Sequence, residues 1–404
     1  MAKPEIRLKG FEGEWERHSL EECLSISNER NTNKKYGRED VLSVSDDFGV
    51  VNQIKLLGRS YAGADLSGYK LVRPGQIIYT KSPLRFKPFG IIKENQKEIG
   101  IVSVLYAVYN VSDNLNPSFV DLYFAPSYRT NNYLLPLISK GAKNTINISD
   151  ENALKGTFHF PIVDEQKSIT EYFKSLDSML QSTTKKIESL KQVKQACLVS
   201  MFPQAGETTP RVRFKGFEGE WKDVSFKEIS YLSGKKNREN LPLESYSISN
   251  EYGFIPQQEQ FENGGTMAKA DKKMYYIVTP DSFAYNPARI NVGSIGYDDL
   301  DKDVIVSSLY VVFKTDANTH NPFLNYWFKT PMFKKMIELY QEGGVRLYFF
   351  YDKLCSCHFR RPSLKEQQRI ASYFRSLDKQ ISLLEKQLVK LKQIKAACLD
   401  KMFV

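Results

Sequence analysis

The side chains able to do chemistry in this 404-residue chain are few, and their spacing suits no common catalytic constellation. Four histidines are present (His18, His159, His320 and His358), and none stands in a His-Glu-x-x-His or comparable ligand spacing. No Gly-rich loop ends in Gly-Lys-Ser or Gly-Lys-Thr, so the chain encodes no phosphate cradle for an ATP-driven motor. Pro280-Asp281 has the look of a nuclease carboxylate, but no acidic-x-Lys element follows it, and it reads as a turn. Cys355-Ser-Cys357-His358 brings two thiols and an imidazole together. Zinc needs four ligands, usually with two or more residues between paired cysteines, and no second cluster completes the set. No metal is therefore expected. Five cysteines are too few for a disulfide scaffold of this size, and Cys197 and Cys398 read as small buried hydrophobes.

Asn116-Pro-Ser-Phe119 resembles the Asn/Asp-Pro-Pro-Tyr/Phe signature of DNA amino-methyltransferases. Its second proline is missing, Asn321-Pro-Phe-Leu324 departs further, and no Gly-rich cofactor loop precedes either; both read as helix starts after a buried strand. What remains is binding. Lys and Arg total 57 against 47 Asp and Glu, a net charge of +10. That excess favours a polyanion, nucleic acid before membrane, because no basic amphipathic lipid-binding segment stands out. No run of 18 apolar residues exists, and Met-Ala-Lys-Pro-Glu lacks a signal peptide's apolar stretch, so a cytoplasmic protein is expected. Basic and aromatic residues cluster in loop-like stretches. The first half has Lys34, Lys35 and Arg38, Arg59 with Tyr61, then Lys81, Arg85 and Lys87, then Lys140 and Lys143. The second has Lys235, Lys236 and Arg238, then Lys269, Lys272 and Lys273, Arg289, and Arg346 with Tyr348. Lys and Arg neutralise phosphates, and Arg also forks onto a guanine edge. Singly, each is an ordinary solvated charge; the doubled arrangement is what favours DNA.

These clusters are carried by a scaffold that occurs twice. Pro4-Glu-Ile-Arg-Leu-Lys-Gly-Phe-Glu-Gly-Glu-Trp15 returns 206 positions on as Pro210-Arg-Val-Arg-Phe-Lys-Gly-Phe-Glu-Gly-Glu-Trp221. Ile169-Thr-Glu-Tyr-Phe-Lys-Ser-Leu-Asp177 returns 201 positions on as Ile370-Ala-Ser-Tyr-Phe-Arg-Ser-Leu-Asp378. Each half is long enough to bury its own core, and 41% hydrophobic residues with 25 Phe and 23 Tyr argue against disorder. Val72-Arg-Pro-Gly-Gln-Ile-Ile-Tyr79 reads as a Pro-Gly turn into a strand. Residues 101–109 and 304–313 each read as one strand buried on both faces. Leu42-Ser-Val-Ser-Asp-Asp-Phe-Gly49 parallels Tyr246-Ser-Ile-Ser-Asn-Glu-Tyr-Gly253, a strand running into a turn. The globular parts are expected to be diverged copies of one mixed α/β domain.

The connectors read as long helices. Apolar positions run Ile169, Phe173, Leu176, Leu180, Ile187, Leu190, Cys197 and Met201 in the first. The second has Ile370, Phe374, Leu377, Ile381, Leu384, Leu388, Leu391, Cys398 and Met402, a 3.5-residue period that marks a coiled-coil seam. Ser363-Leu-Lys-Glu366 has the pattern of a reciprocal capping box, Pro161 and Asp164 mark the matching start, and residues 203–210 form a short linker. A narrow seam needs a partner seam. An antiparallel pair between two globular heads is the economical solution; pairing with another protein or a second copy is the alternative.

This architecture resembles the specificity subunit of type I restriction–modification systems. The resemblance rests on the doubled Lys-Gly-Phe-Glu-Gly-Glu-Trp motif (9–15, 215–221) and the doubled Glu-Gln…Ile…Tyr-Phe…Leu-Asp helix (165–177, 366–378). Gly141-Ala-Lys-Asn-Thr-Ile-Asn147 and Tyr285-Asn-Pro…Asn291-Val-Gly-Ser-Ile-Gly296 are also similar to that family's target-recognition domains. It implies an α/β chain with recognition domains at 1–160 and 204–361 and helical spacers at 161–203 and 362–404. Such a chain is a non-catalytic subunit that binds a bipartite double-stranded DNA target, one half-site per domain, the helix pair setting the gap. The implied partners are two methyltransferase subunits and the restriction/translocase subunits, with no membrane. S-adenosylmethionine, ATP and magnesium would bind the partners and no cofactor this chain. A stand-alone DNA methyltransferase and a coiled-coil scaffold are the competing readings.

Overall fold

The computed structural model describes residues 2–140, 146–250, 253–260 and 272–404. The chain divides into two compact units, one of Met1–Thr184 with Lys386–Val404 and the other of Lys185–Glu385. The division runs through both long helices, Val163–Ser200 (the central helix) and Leu364–Lys401 (the C-terminal helix), each of 38 residues. Each unit therefore owns the first part of one helix and the last part of the other.

The first unit is built on a four-stranded antiparallel sheet in the order Leu24–Ile26, Ala107–Val111, Ile77–Tyr79, Ile92–Glu94. Lys70–Val72 pairs with Gly100–Val102, and Leu42–Ser45 with Gly49–Asn52 forms a hairpin. Pro117–Phe124 is a helix capped by Asn116, whose Oδ1 accepts from Phe119 N at 3.2 Å. In the second unit the corresponding sheet runs Ser230–Leu232, Val311–Thr315, Phe283–Tyr285, Ile295–Tyr297. It is joined by a three-stranded sheet, a Tyr246–Ser249/Gly253–Pro256 hairpin and the helix Asn321–Trp327. The two Asn-Pro motifs thus start helices, as their sequence context suggests.

One expectation fails in both copies. Residues 101–109 are not a single strand: Gly100–Val102 and Ala107–Val111 belong to different sheets, separated by a turn in which Tyr106 N donates to Ser103 O at 3.0 Å. Residues 304–313 break likewise, with Tyr310 N on Ser307 O at 3.0 Å. The cause is the serine, whose hydroxyl accepts from the backbone two residues on (Leu105 N and Leu309 N) and offers the chain a turn in place of a ladder. The apolar run hides the break because Leu105 and Leu309 stand exposed at its tip.

A single side chain straps the leading motif of each unit to its helix. Arg7 forks onto Glu165 (Nε 2.8 Å, Nη2 2.7 Å) and also donates to the carbonyls of Glu12 and Gly13. Arg213 repeats this on Glu366 (2.8 Å to each oxygen) and the carbonyls of Glu218 and Gly219. The carbonyls can converge because Gly10, Gly13, Gly216 and Gly219 take φ between +77° and +96°, where L side chains are strained. The Ser363–Glu366 capping box is accordingly only half formed: Glu366 N donates to Ser363 Oγ at 3.4 Å, while the Glu366 carboxylate turns to Arg213. Beside each strap, Gln166 accepts from Asn116 N (2.7 Å) and donates to the carbonyls of Asn114 and Pro161. Gln367 does the same with His320, Asn318 and Pro362.

The antiparallel helix pairing expected from the seam is present in each unit. In the first, Tyr172 meets Cys398 (3.6 Å), Lys395 pairs with Asp177, and Leu391, Cys398, Met402 and Phe403 enter the core with Ile169, Phe173 and Leu176. In the second, Lys191 meets Glu385 (2.7 Å), Lys194 meets Asp378 (2.5 Å) and Cys197 meets Tyr373 (3.5 Å). Ile187, Ile370, Phe374, Leu377 and Ile381 are buried there, whereas Leu180, Leu190, Leu384 and Leu388 are half-buried. The helix starts serve more than a seam: Ile169, Phe173, Ile370 and Phe374 belong to the globular cores, packed with Trp15 and Trp221 respectively. Buried Thr183 sits on the seam, a position the apolar periodicity passes over.

The chain ends meet in the first unit as the linker does in the second. Ile6 N donates to Lys401 O at 3.0 Å, and Val212 N to Ser200 O at 2.9 Å. Phe403 packs edge-on against Trp15 at 6.3 Å, and Phe202 against Trp221 at 6.4 Å. Arg129 caps the carbonyls of Leu399 and Asp400, where the second unit uses Gln204 on Val199 O.

Two stability predictions follow from buried charge. Arg213→Ala leaves the Glu366 carboxylate buried without its fork, and we expect a loss of about 3–5 kcal/mol by denaturant unfolding. Lys401→Ala, which breaks an exposed pair with Glu5, should leave the transition in place. Asp298 is buried, with Oδ2 unpartnered, and burial pushes its pKa from 3.8 up to about 7. The folded state therefore holds a proton that the unfolded state releases, so stability falls as pH rises from about 4 to about 7. Thermal midpoints of Asp298→Asn should lack that component of the pH slope.

Candidate nucleic-acid interface

Two buried asparagines fold the basic loops of the two units in the same way. Asn31 accepts from Tyr36 N (3.1 Å) and donates to the carbonyls of Tyr36 and Leu66, which throws Lys34 into a left-handed turn at φ +52°. Asn237 accepts from Leu241 N (2.8 Å) and donates to Leu241 O, with Asn240 at φ +51°. Lys34, Lys35 and Arg38 thereby stand exposed on one loop, and Arg38 Nε reaches Gly63 O, tying in the segment that carries Arg59 and Tyr61. The Arg59 guanidinium lies 4.6 Å over the exposed Tyr61 ring. In the second unit Lys235–Lys236 is a strand paired with Tyr276–Val278, and Asn237 N donates to Tyr275 O. These bonds bring Lys235, Lys236 and Arg238 beside the helical turn Lys272–Met274, with Lys273 on the same turn.

Other predicted contacts are committed elsewhere. Lys81 lies 2.5 Å from Asp150, which Lys70 also engages at 2.6 Å. Burial would raise the Asp150 pKa, but the hydrogen bonds from Lys70 and Lys81 outweigh it and hold the carboxyl below its ordinary value. Lys87 is buried and donates to Asp46 and to the carbonyls of Phe124 and Ala125. These lysines anchor the loop 80–91 from inside. That loop presents Arg85 over the exposed ring of Phe86, 5.1 Å away. Lys140 ends the strand Ser139–Lys140, and Lys143 and Lys269 lie outside the described residues.

Arg289, Arg346 and Tyr348 are brought together. They line a concavity of about 560 Å³ in the second unit with Pro287, Leu309 and Phe350. The Tyr348 and Phe350 rings are parallel within 3°, at 5.4 Å. Leu309 arrives on the serine turn that breaks 304–313, and Phe350 follows Tyr348 by two residues. Neither was singled out from sequence; the Ser-x-Leu-Tyr repeat at 103–106 and 307–310 was the available signal. Among the described residues no group of three or more His, Cys, Asp or Glu side chains is placed to hold a metal ion. Cys357 is buried and donates to Lys353 O instead. No helix of the described residues is long and apolar enough to cross a membrane.

Residues 218–393 match the family model of the type I restriction modification DNA specificity domain. No curated protein matches the chain. Among solved structures, the type I restriction-modification system S subunit from M. genitalium aligns with a TM-score of 0.55 at 12% identity, over 100% of this chain and 99% of that one. The HsdS subunit from Thermoanaerobacter tengcongensis gives 0.51 at 16% identity, over 96% of each chain. A chain from a study of complex assembly and conformational transition of the type I R-M system gives 0.51 at 15% identity, over 96% and 97%.

The division between exposed and committed lysines can be tested on duplex DNA. Lys34→Ala and Lys35→Ala should each lower the slope of log binding constant against log salt by about 1, if each contacts one phosphate. Lys87→Ala should instead lower the melting temperature, because Asp46 and two carbonyls lose their donor, and leave the salt slope unchanged.

Proposed function

We propose that this protein selects the DNA target of a type I restriction–modification complex, because residues 218–393 match the family model of the type I restriction modification DNA specificity domain and the whole chain shares the fold of the solved type I S subunits. It binds a bipartite sequence, one half-site per unit, and performs no chemistry itself. The observation that carries this reading is the doubling of a basic surface on a doubled scaffold. The Asn31 and Asn237 turns match, with Lys34, Lys35 and Arg38 on the first and Lys235, Lys236 and Arg238 flanking the second, and the Arg7–Glu165 and Arg213–Glu366 straps fix each recognition domain to a long helix.

The helix pair supplies the spacing. A 38-residue helix rises about 57 Å at 1.5 Å per residue, ample for half-sites about one DNA turn, roughly 34 Å, apart. Two methyltransferase subunits dock on the helical and leading-motif regions, and restriction/translocase subunits join that core. S-adenosylmethionine, ATP and magnesium belong to those partners. Because the half-sites are read independently, mismatch costs of about 1–3 kcal/mol per base pair add across them. Methylome sequencing of cells that express the chain with its methyltransferase partner tests the reading: a bipartite motif with a fixed gap is expected, and a continuous motif, or none, overturns it.

The spacing role makes its own prediction. Adding or removing one heptad within 176–197 together with its counterpart in 377–398 should change the gap in the methylated motif and leave both half-sites as they were. Retention of the original gap by such variants would show that the helices do not set it.

A further inference from the structure

Two patches of unlike chemistry occur in the second unit. Residues 235–238 and 272–274 present mainly lysines, compact point charges suited to phosphates whatever the sequence. The concavity between 286–289, 308–309 and 346–350 presents two guanidiniums and a pair of parallel rings. Resting on the function proposed above, we infer that this concavity is the base-reading surface of the second unit, with Arg289 and Arg346 each forking onto a guanine of its half-site.

The guanidiniums are available. Both arginines are exposed, and among the described residues neither side chain has a hydrogen-bond or ion-pair partner, in contrast to Arg213 and Arg361, which are held by carboxylates. Their separation is also built in. Phe349 N donates to Pro287 O at 3.0 Å, which ties the segment carrying Arg346 to the loop carrying Arg289. Glu342 and Tyr348 exchange backbone hydrogen bonds of 2.9 and 2.8 Å across the turn, and Lys353 holds Glu342 at 2.9 Å. The turn itself requires glycine at 343, where φ is +136° and an added Cβ would lie 2.1 Å from Arg346 O. Arg346 is thus presented on a closed turn, and less conformational freedom is lost when it engages a partner.

The lining distinguishes bases from phosphates. Pro287, the exposed side chain of Leu309 and the Tyr348–Phe350 stack give the concavity that holds both guanidiniums an apolar lining. A phosphate gains nothing from them, whereas base edges and thymine methyl groups pack against such surfaces. Guanine is the base whose major-groove edge offers two acceptors, N7 and O6, matched to a planar fork, and a lysine cannot reproduce that geometry. The corresponding stretches of the first unit, 80–91 and 139–147, contain one arginine, Arg85. On this assignment the two units differ in the chemistry they bring to a half-site.

The test uses the full chain with its methyltransferase partner and selection from randomised duplexes, with the bound pool sequenced. Wild type should yield a bipartite motif with guanines in one half. Arg289→Ala and Arg346→Ala should each lower discrimination at one guanine of that half by about 5- to 150-fold and leave the other half intact. Arg346→Lys, which keeps the charge at an exposed position, should lose the same guanine preference while its salt slope stays that of wild type. Variant pools with the wild-type preference at every position, or a loss spread over both halves, overturn the guanine assignment even where the bipartite motif persists. A wild-type pool with no motif would overturn the proposed function along with it.

Discussion

Each unit is closed by one buried ion pair, Arg7 with Glu165 and Arg213 with Glu366, and much of the architecture is arranged to satisfy it. The carboxylates are almost fully buried, with 1% and 2% of the side chain exposed. A carboxylate taken that far from water costs several kcal/mol unless a well-aligned donor restores its hydrogen bonds, and the guanidinium fork supplies two at once. The same guanidinium collects two carbonyls of the Gly-Phe-Glu-Gly turn, which is why that turn needs glycines at positive φ. The adjacent glutamine joins the helix start to the segment leading into the Asn-Pro helix. Leading motif, long helix and Asn-Pro helix are therefore set in register by two neighbouring residues of the long helix. An apolar replacement could match the pair in stability but would not specify which backbone groups converge.

The aromatic layer beside the strap explains why the first unit is not a contiguous stretch of the chain. Trp15 is covered by Phe119 and Phe403, and Trp221 by Phe323 and Phe202. Phe202 and Phe403 follow the ends of the two long helices, so the first unit is completed only by the last residues of the polypeptide. Each aromatic contact adds about 0.5–1.5 kcal/mol beyond area burial. The backbone bond from Ile6 to Lys401 then mirrors that from Val212 to Ser200.

Much of this was legible because the chain repeats itself. The doubled Lys-Gly-Phe-Glu-Gly-Glu-Trp and Tyr-Phe-x-Ser-Leu-Asp segments gave the tandem plan, and the 3.5-residue seam gave the helix pairing. What the pattern could not give was the partner of each charge. Lys81 and Lys87 look in sequence like Lys34 and Lys35, but long-range carboxylates engage them at 2.5 and 2.7 Å, and no local rule places Asp150 or Asp46 beside them. The Glu366 capping box failed for a related reason: Arg213, 153 residues away, outcompetes the local backbone donor. Residues 101–109 and 304–313 have the hydropathy of single strands because a serine turn inside a β-branched run leaves the apolar pattern unbroken. That turn delivers Leu309 to the concavity, so the place where periodicity misleads is also part of the candidate reading surface.

The scaffold of the two units is repeated while their exposed loops are not. Strap, glutamine clamp and aromatic layer recur residue for residue in the two units, whereas the exposed loops do not: the Gly343–Tyr348 turn carries Arg346, and 139–147 has no arginine at all. Among the described residues neither Arg289 nor Arg346 side chain shares a hydrogen bond with the strap or the helices. Substitutions at such exposed, unpartnered positions leave the buried ion pair and the aromatic contacts as they are, so their effects on recognition and on folding are close to independent. At Arg346 the backbone is fixed by its own turn, and among the described residues its side chain has no hydrogen-bond or ion-pair partner.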